Sequence, residues 1–397
     1  MIPEHWKKMP LDHIAYVQTG LAKGKKGIKE PRLLPYLRVA NVQDGFLDLS
    51  LIKSMEVEES DIDKYLLKPG DVLLTEGGDC DKLGRGTIWQ GEVNPCLHQN
   101  HIFVVRTKND ILMPEFLTQL TGSEYGKNYF LKCSKQSTNL ASINSTQLKE
   151  FPVLLPPLKE QKNIVEVACA WDQAIEKTER LIAAKEKQRR NLIRKLIENN
   201  PEKKKWEKKA LGNFLKERNE KSTIHNQYPA ITSSRRGIFL QEEYFSKSVT
   251  SIDNSGYKII KKGDFTYRSM SDDGIFVFNR LMQIDIGIIS PAYGVFYENG
   301  VDPVYLYYLL NSSDFKRALA GESQGGTRTA LKLSAIKNIN LNFPIYAVQK
   351  KISAILNIAQ KEIDLLKKQL AAYRRQKRGL MQKLLTGQWR VKIPDND

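Results

Sequence analysis

Few residues in this chain have the types and spacing that chemistry needs, and each such group falls short of a catalytic pattern. Cys96, His98 and His101, with Cys80 upstream, come nearest to a metal site. That spacing matches no common zinc pattern, and strand alternation puts Cys96 and His98 on one face and His101 on the other, so no metal site is expected. The four cysteines, with Cys133 and Cys169, form no C-x-x-C pair, and a disulfide framework would be odd in a chain this long. Pro156-Pro157 lies between Leu155 and Leu158, so it cannot serve as the Asn/Asp-Pro-Pro-aromatic motif of an adenine methyltransferase. No G-x-x-x-x-G-K-[ST] loop is present, and Gly84-Arg85-Gly86 lacks the third glycine of a dinucleotide fingerprint. Glu207-Lys208-Lys209 has a nuclease-like Glu-x-Lys fragment, but it lies in a charged linker. No catalytic residue is assigned, and the chain is not expected to be an enzyme or to bind a cofactor of its own.

Binding chemistry is better represented. Sixty-two Lys and Arg face 45 Asp and Glu, a formal charge of +17, which attracts a polyanion through phosphate neutralisation and counterion release. Loops that combine cations with glycine and small polar groups suit DNA: glycine lets backbone approach phosphate, while Arg, Asn, Gln and Ser reach base edges. In the N-terminal part these are Lys23, Lys25, Lys26, Lys82, Arg85, Lys135, Gln136, Ser137 and Asn139. In the C-terminal part they are Thr232, Ser233, Ser234, Arg235, Arg236, Arg268, Gln324, Thr327 and Arg328. For any single one of these, a solvated surface residue is the simpler account. As a group they gain weight, because Gln136 to Asn139 and Gln324 to Thr327 occupy matching places ahead of two long helical patterns.

Those helices belong to an internal duplication. Gln161-Lys162-x-Ile164 recurs 188 residues on as Gln349-Lys350-x-Ile352. At the same offset Gln188-x-Arg190-x-Leu192 recurs as Gln376-x-Arg378-x-Leu380, and Lys195-Leu196 as Lys383-Leu384. Weaker echoes pair Trp6 with Trp206, Leu66 to Asp71 with Ile259 to Asp264, and Pro114-x-Phe116-Leu117 with Pro303-x-Tyr305-Leu306. Lys159 to Glu198 contains no glycine or proline and keeps a heptad frame. One seam position reads Ala168, Ile175, Ile182, Arg189, Leu196, and the other Ile164, Trp171, Thr178, Lys185, Leu192. The second copy gives Leu356, Ile363, Leu370, Lys377, Leu384 and Ile352, Ala359, Leu366, Tyr373, Leu380. Both copies interrupt one seam position with a cation, Arg189 and Lys377. A register-fixing polar group and a long stem whose head reaches water both account for this.

The elements between the helices predict an α+β fold: two globes separated by two long antiparallel coiled-coil helices, related as a pseudo-twofold repeat. The expected divisions are 1–155, 156–200, 201–343, 344–388 and a tail 389–397. Strand-like runs fall at Tyr36 to Val42, Asp71 to Leu74, Ile102 to Val105, Gly274 to Phe278 and Gly287 to Ile289. Helices should start at Pro114 and Pro303, where proline's missing N–H costs least. Forty helical residues span roughly 60 Å, while a globe of this size is about 40 Å across. Antiparallel pairing therefore brings together the two helix ends that the second globe must connect. Two related but unlike globes suit a duplex read as two different half-sites.

This layout resembles the specificity subunit of type I restriction–modification systems over nearly the whole chain. The resemblance rests on Phe151-Pro152-x-x-x-Pro156-Pro157-x-x-Glu160-Gln161, on the repeated helix, and on Leu384-Leu385-Thr386-Gly387. Tyr36-x-Arg38-x-x-Asn41-Val42 and Lys68-Pro69-Gly70-Asp71-Val72-Leu73 are also similar to the family. The second helix entry departs, with Phe343-Pro344-Ile345-Tyr346 ahead of Gln349. The resemblance implies an asymmetric, gapped DNA target and helices that bind two adenine-methyltransferase subunits holding S-adenosylmethionine. It also implies that a translocating restriction subunit joins them. No apolar run approaches a membrane span and no apolar segment follows Lys7 and Lys8, so a cytoplasmic location and no membrane partner are expected. The competing account is a non-DNA coiled-coil scaffold whose charge serves only solubility.

Overall fold

The computed structural model describes residues 2–22, 30–79, 83–136, 140–244, 253–322 and 329–391. Two compact units divide the chain: residues 1–179 with 368–397, and residues 180–367. The architecture is α+β, and each unit holds one globe with stretches of both long helices.

The two globes share a topology that their sequences hide. In the first, Ala15–Thr19, Ile102–Thr107, Val72–Thr75 and Gly86–Ile88 form an antiparallel sheet in that order. In the second, Leu215–Glu217, Tyr293–Glu298, Phe265–Arg268 and Asn279–Arg280 repeat it. A second sheet in each globe has one parallel pairing, Tyr36 against Leu97 and Ala230 against Ile288. A two-stranded ribbon closes each globe, Lys7–Pro10 with Pro152–Leu155 and Glu207–Ala210 with Asn340–Phe343. Pro114–Gly122 and Pro303–Leu310 are helices that begin on their prolines.

A buried Asp in each globe fixes the turn before a central strand. Asp71 Oδ2 accepts from the Lys68 amide at 2.8 Å, and Asp264 Oδ2 from the Lys261 amide at 2.8 Å. Arg106 donates to both Asp71 oxygens at 2.7 Å, whereas the pair of donors to Asp264 comes from Arg218, just after the strand Leu215–Glu217. These carboxylates are thus fully hydrogen-bonded, the condition under which a buried ion pair is tolerated. The Asp71 hydrogen bonds raise the Arg106 pKa further above its ordinary value, so that guanidinium stays charged.

Two strand expectations need correction. Gly274 to Phe278 forms no strand, because the Phe278 amide donates to Asn311 Oδ1 at 3.1 Å and its carbonyl accepts from Asn311 Nδ2 at 3.0 Å. One side chain thus replaces a ladder partner while Phe276 and Phe278 bury their rings. The run from Tyr36 to Val42 is a strand only to Leu37. Asn41 then folds the chain, accepting from the Arg38 amide at 2.9 Å and donating to the Asp48 and Leu51 carbonyls at 2.8 and 3.1 Å.

The long helices run Leu158–Ile193, continued by one wider turn over Arg194–Glu198, and Tyr346–Leu385. Within each unit they lie antiparallel. In the first unit Asp172 meets Lys377 and Glu179 meets Arg374; in the second Glu186 meets Lys367 and Arg189 meets Gln360. Ile164, Ala168, Leu384 and Leu385 enter the first globe's core, and Ile352, Leu356 and Ile197 enter the second's.

Candidate nucleic-acid interface

The repeated helix holds each globe through a glutamine. Gln161 is buried; its Oε1 accepts from the Met113 amide at 2.9 Å, and its Nε2 donates to the Ile111 and Pro156 carbonyls at 2.8 and 2.9 Å. Gln349 repeats this, accepting from the Asp302 amide and donating to the Pro344 carbonyl, both at 2.9 Å. Both amides bind the residue at the entry of the Pro114 or Pro303 helix, so the long helix sets where that helix begins. The recurrence of Gln161 as Gln349 was visible in the sequence; its role as a backbone clamp was not.

Glu160, beside Gln161, has no counterpart in the second copy, where Val348 stands. Its buried carboxylate accepts from Trp6 Nε1 at 3.1 Å and Arg390 Nε at 3.0 Å, and lies 3.0 Å from His5 Nε2. Burial pushes this carboxyl up, but the hydrogen bonds from His5, Arg390 and Trp6 outweigh burial and hold it below the usual range. Gly387 explains the Leu-Leu-Thr-Gly ending. Its φ is +70°, and a Cβ there would sit 2.3 Å from Pro3 Cδ, so only glycine fits this left-handed turn.

Every seam position is buried or half-buried. Ile164, Ile182, Ile352, Leu356, Ile363 and Leu384 are buried. Trp171, Ile175, Leu192, Leu196, Leu366, Leu370 and Leu380 are half-buried, as is Tyr373, whose ring meets Trp171 edge-on at 5.7 Å. The two seam cations take partners from the opposite helix. Lys377 Nζ donates to Asp172 Oδ1 at 2.6 Å, and Arg189 donates to Gln360. This is the arrangement a register-fixing polar contact requires.

The candidate DNA-contacting residues divide into three groups. Lys23, Lys25, Lys26, Lys82, Ser137, Asn139, Gln324, Thr327 and Arg328 lie outside the described residues, as does the Gln136 side chain. Lys135, Arg235, Arg236 and Arg268 are exposed. The others are buried or half-buried. Thr232 and Ser233 are buried on a strand, their hydroxyls meeting Tyr293 Oη at 3.1 Å and Asn279 Nδ2 at 2.9 Å. Ser234 Oγ accepts from the Arg236 amide at 3.1 Å and so shapes the hairpin turn. Arg85 is half-buried and donates to the Val39 carbonyl at 3.4 Å. Thr232 and Ser233 are thus spent inside the globe by the strand, while Ser234 and Arg85 are half-buried with partners in the turn and the neighbouring loop.

The hairpin Ala230–Leu240 does present cations. Arg235 donates to both Asp273 oxygens at 2.6 Å, and the Arg236 guanidinium lies 5.2 Å from the Tyr244 ring centre. Arg235, with Ser271 and the Ile275 amide, holds the Asp273 carboxyl down to about 2. The described flanks of the two matching loops are also equivalent. Lys135–Gln136 and Leu140–Ser142 pair beside Gly77–Asp79, and Thr329–Ala330 pairs with Met270–Ser271.

Cys96 is buried, and burial pushes its thiol up to about 12. His98 is buried and donates through Nδ1 to the Ile102 carbonyl at 3.1 Å, while the exposed His101 pairs with Glu76. Among the described residues no group of three or more His, Cys, Asp or Glu is placed to hold a metal ion. Among them, no helix is long and apolar enough to cross a membrane.

A repeated helix carrying two globes of one topology and unlike surfaces is the build of a two-part recognition subunit. The family model for the type I restriction modification DNA specificity domain matches residues 3–186 and again 203–372, and the chain belongs to that family. It is a specificity subunit of type I restriction–modification systems. A Methanocaldococcus jannaschii protein described as the MjaX type I restriction enzyme specificity subunit is 25% identical over 98% of this chain and 95% of its own length. The Escherichia coli EcoKI specificity subunit is 30% identical over 44% of this chain and 39% of its own. Among solved structures, the HsdS subunit from Thermoanaerobacter tengcongensis covers 98% of both chains at 16% identity with a TM-score of 0.54. A chain from a study of complex assembly and conformational transition of the type I R-M system aligns with a TM-score of 0.62 at 16% identity, over 98% of this chain and 100% of that one. These two likenesses concern the fold.

Proposed function

We propose that the two globes read the two unlike parts of an asymmetric, gapped duplex DNA target, and that the chain performs no chemical step itself. The observation that carries this reading is the duplication: helix, clamp and topology repeat, while the candidate contact residues differ between copies. Exposed Arg235, Arg236, Arg268 and Lys135 supply phosphate or base contacts. The helices dock two adenine-specific methyltransferase subunits, which hold S-adenosylmethionine, and restriction–translocase subunits join that assembly. Ile355, Ile358 and Leu365 support such docking, since they are 43%, 68% and 66% exposed at helical spacing outside the seam.

The test is fluorescence anisotropy of labelled duplex DNA from low to moderate salt. The expected result is a steep loss of affinity, with log K falling by about 0.9 for each neutralised phosphate per log unit of salt. A flat salt response would favour the scaffold account. Methylation by the purified chain alone would overturn the division of labour; methylation that appears only with a modification subunit supports it.

A further inference from the structure

The 188-residue offset maps interhelix contacts onto one another, and at one pair of contacts the charges do not follow the repeat. Lys367 Nζ donates to Glu186 Oε1 at 2.6 Å. The offset carries Glu186 to Arg374 and Lys367 to Glu179, and Arg374 does donate to Glu179. The same contact is therefore made twice, yet both acids belong to the first helix and both bases to the second. From this asymmetry we infer that the charges make the face of the first helix fit the second helix and reject the equivalent helix of a second copy of the chain.

The argument is one of pairing rules. In a like-with-like antiparallel pair at the same register, Glu179 would face Glu186 twice in a pair of first helices. Lys367 would face Arg374 twice in a pair of second helices. Charges flanking a coiled-coil seam choose partners in this way, and specificity is the difference between the alternatives. The contact between Lys185 and Glu362, at 2.6 Å, adds to the preference. Its offset equivalents are Tyr373 and Ala174, so a pair of first helices would lose that ion pair altogether. The contacts of Arg189 with Gln360 and Lys377 with Asp172 are neutral in this respect, because like-with-like pairing only redistributes the same four groups. The apolar seam repeats in both helices and cannot discriminate. The flanking charges can.

The test uses the full-length chain and three double variants. E186K/K367E reverses one ion pair and keeps the first helix matched to the second, while it also places opposite charges at both contacts between like helices. E186K/R374E instead creates like charges at both contacts within the chain and opposite charges at both contacts between like helices. Sedimentation equilibrium at low salt is expected to show the weakest self-association for wild type, with E186K/K367E, whose charges suit both pairings, between wild type and E186K/R374E. E186K/R374E should self-associate on the order of tenfold more tightly than wild type, and the excess should vanish at high salt as exposed charges are screened. E179K/K367E makes the mirror-image exchange and must behave like E186K/R374E. An unchanged mass for both of these variants, folded by circular dichroism, would overturn the proposal, as would failure of E186K/K367E to fold. If both like-pairing variants unfold while E186K/K367E stays folded, the charges still dictate the pairing, because all carry one acid-to-base and one base-to-acid exchange.

Discussion

His98 and the paired glutamines show how single side chains hold a globe in place for its surface to work. His98 is buried and neutral, with its Nδ1 proton committed to the Ile102 carbonyl, and burial pulls its pKa from 6.5 down to about 4. Between those two values the unfolded chain binds a proton that the folded chain does not. Stability from this group is therefore present above about pH 6.5 and is lost as pH falls towards 4, by up to roughly 3 kcal/mol. Denaturant titrations of wild type and His98→Gln at pH 7 and pH 4.5 check this. The variant should start less stable and lose less on acidification; equal losses would remove His98 from the account. Gln349→Ala and Gln161→Ala each leave buried backbone groups without partners, at about 1–3 kcal/mol for each orphaned group. Gln161 makes three such bonds and Gln349 two, so Gln161→Ala should lower the urea midpoint further. The opposite order would mean that relaxation, not the clamp, sets the cost.

At the scale of elements, legibility followed the distance over which the determining interactions act. The long helices and the Pro114 and Pro303 helices were readable because heptad spacing and an N-terminal proline are local signals. The heptad frame placed the seam without coordinates because it depends only on residues three and four apart. Gly274 to Phe278 misled for the opposite reason: Asn311, 33 residues on, takes both backbone groups of Phe278. Thr232 and Ser233 misled because a polar residue near a hairpin reads as surface until the register shows it buried. The exposed Arg235 and Arg236 were findable, since the turn ends on Gly237 with φ +124° and leaves the tip residues outward. The seam makes its own prediction. Removing seven residues from the middle of each long helix keeps the frame, whereas removing three from one helix rotates part of its seam away from the partner. Circular dichroism should show the first variant folded with a cooperative melt and the second with its helix pair disrupted. A three-residue deletion as stable as the seven-residue pair would mean that the heptad seam does not hold the helices together.

For the whole molecule, the repeat separates what is shared from what varies. The shared parts are the clamp glutamines, the seam, the closing ribbons and the buried Asp turns; the varied parts are the strand ends and loops that carry the exposed cations. A globe from a relative should therefore graft onto this scaffold if the clamp survives, which requires a backbone amide where Asp302 meets Gln349 and a proline-led helix after it. Replacing Lys203 to Ile339 in this way is expected to change one part of the DNA target and leave the other intact. The reason is energetic as well as geometric: the second globe's core draws its long-helix residues from the repeated-helix positions Leu192, Ile193, Leu196, Ile197, Ile352 and Leu356, so a relative's globe meets the same apolar sockets. The measurement is a methylome of cells that carry the grafted chain with the modification and restriction subunits, set beside the methylome with the original chain. Retention of one part with replacement of the other supports independent readers. If both parts change together while the graft remains folded and its methylation active, recognition is a joint property of the two globes, and the duplication preserves a scaffold without preserving a division of labour.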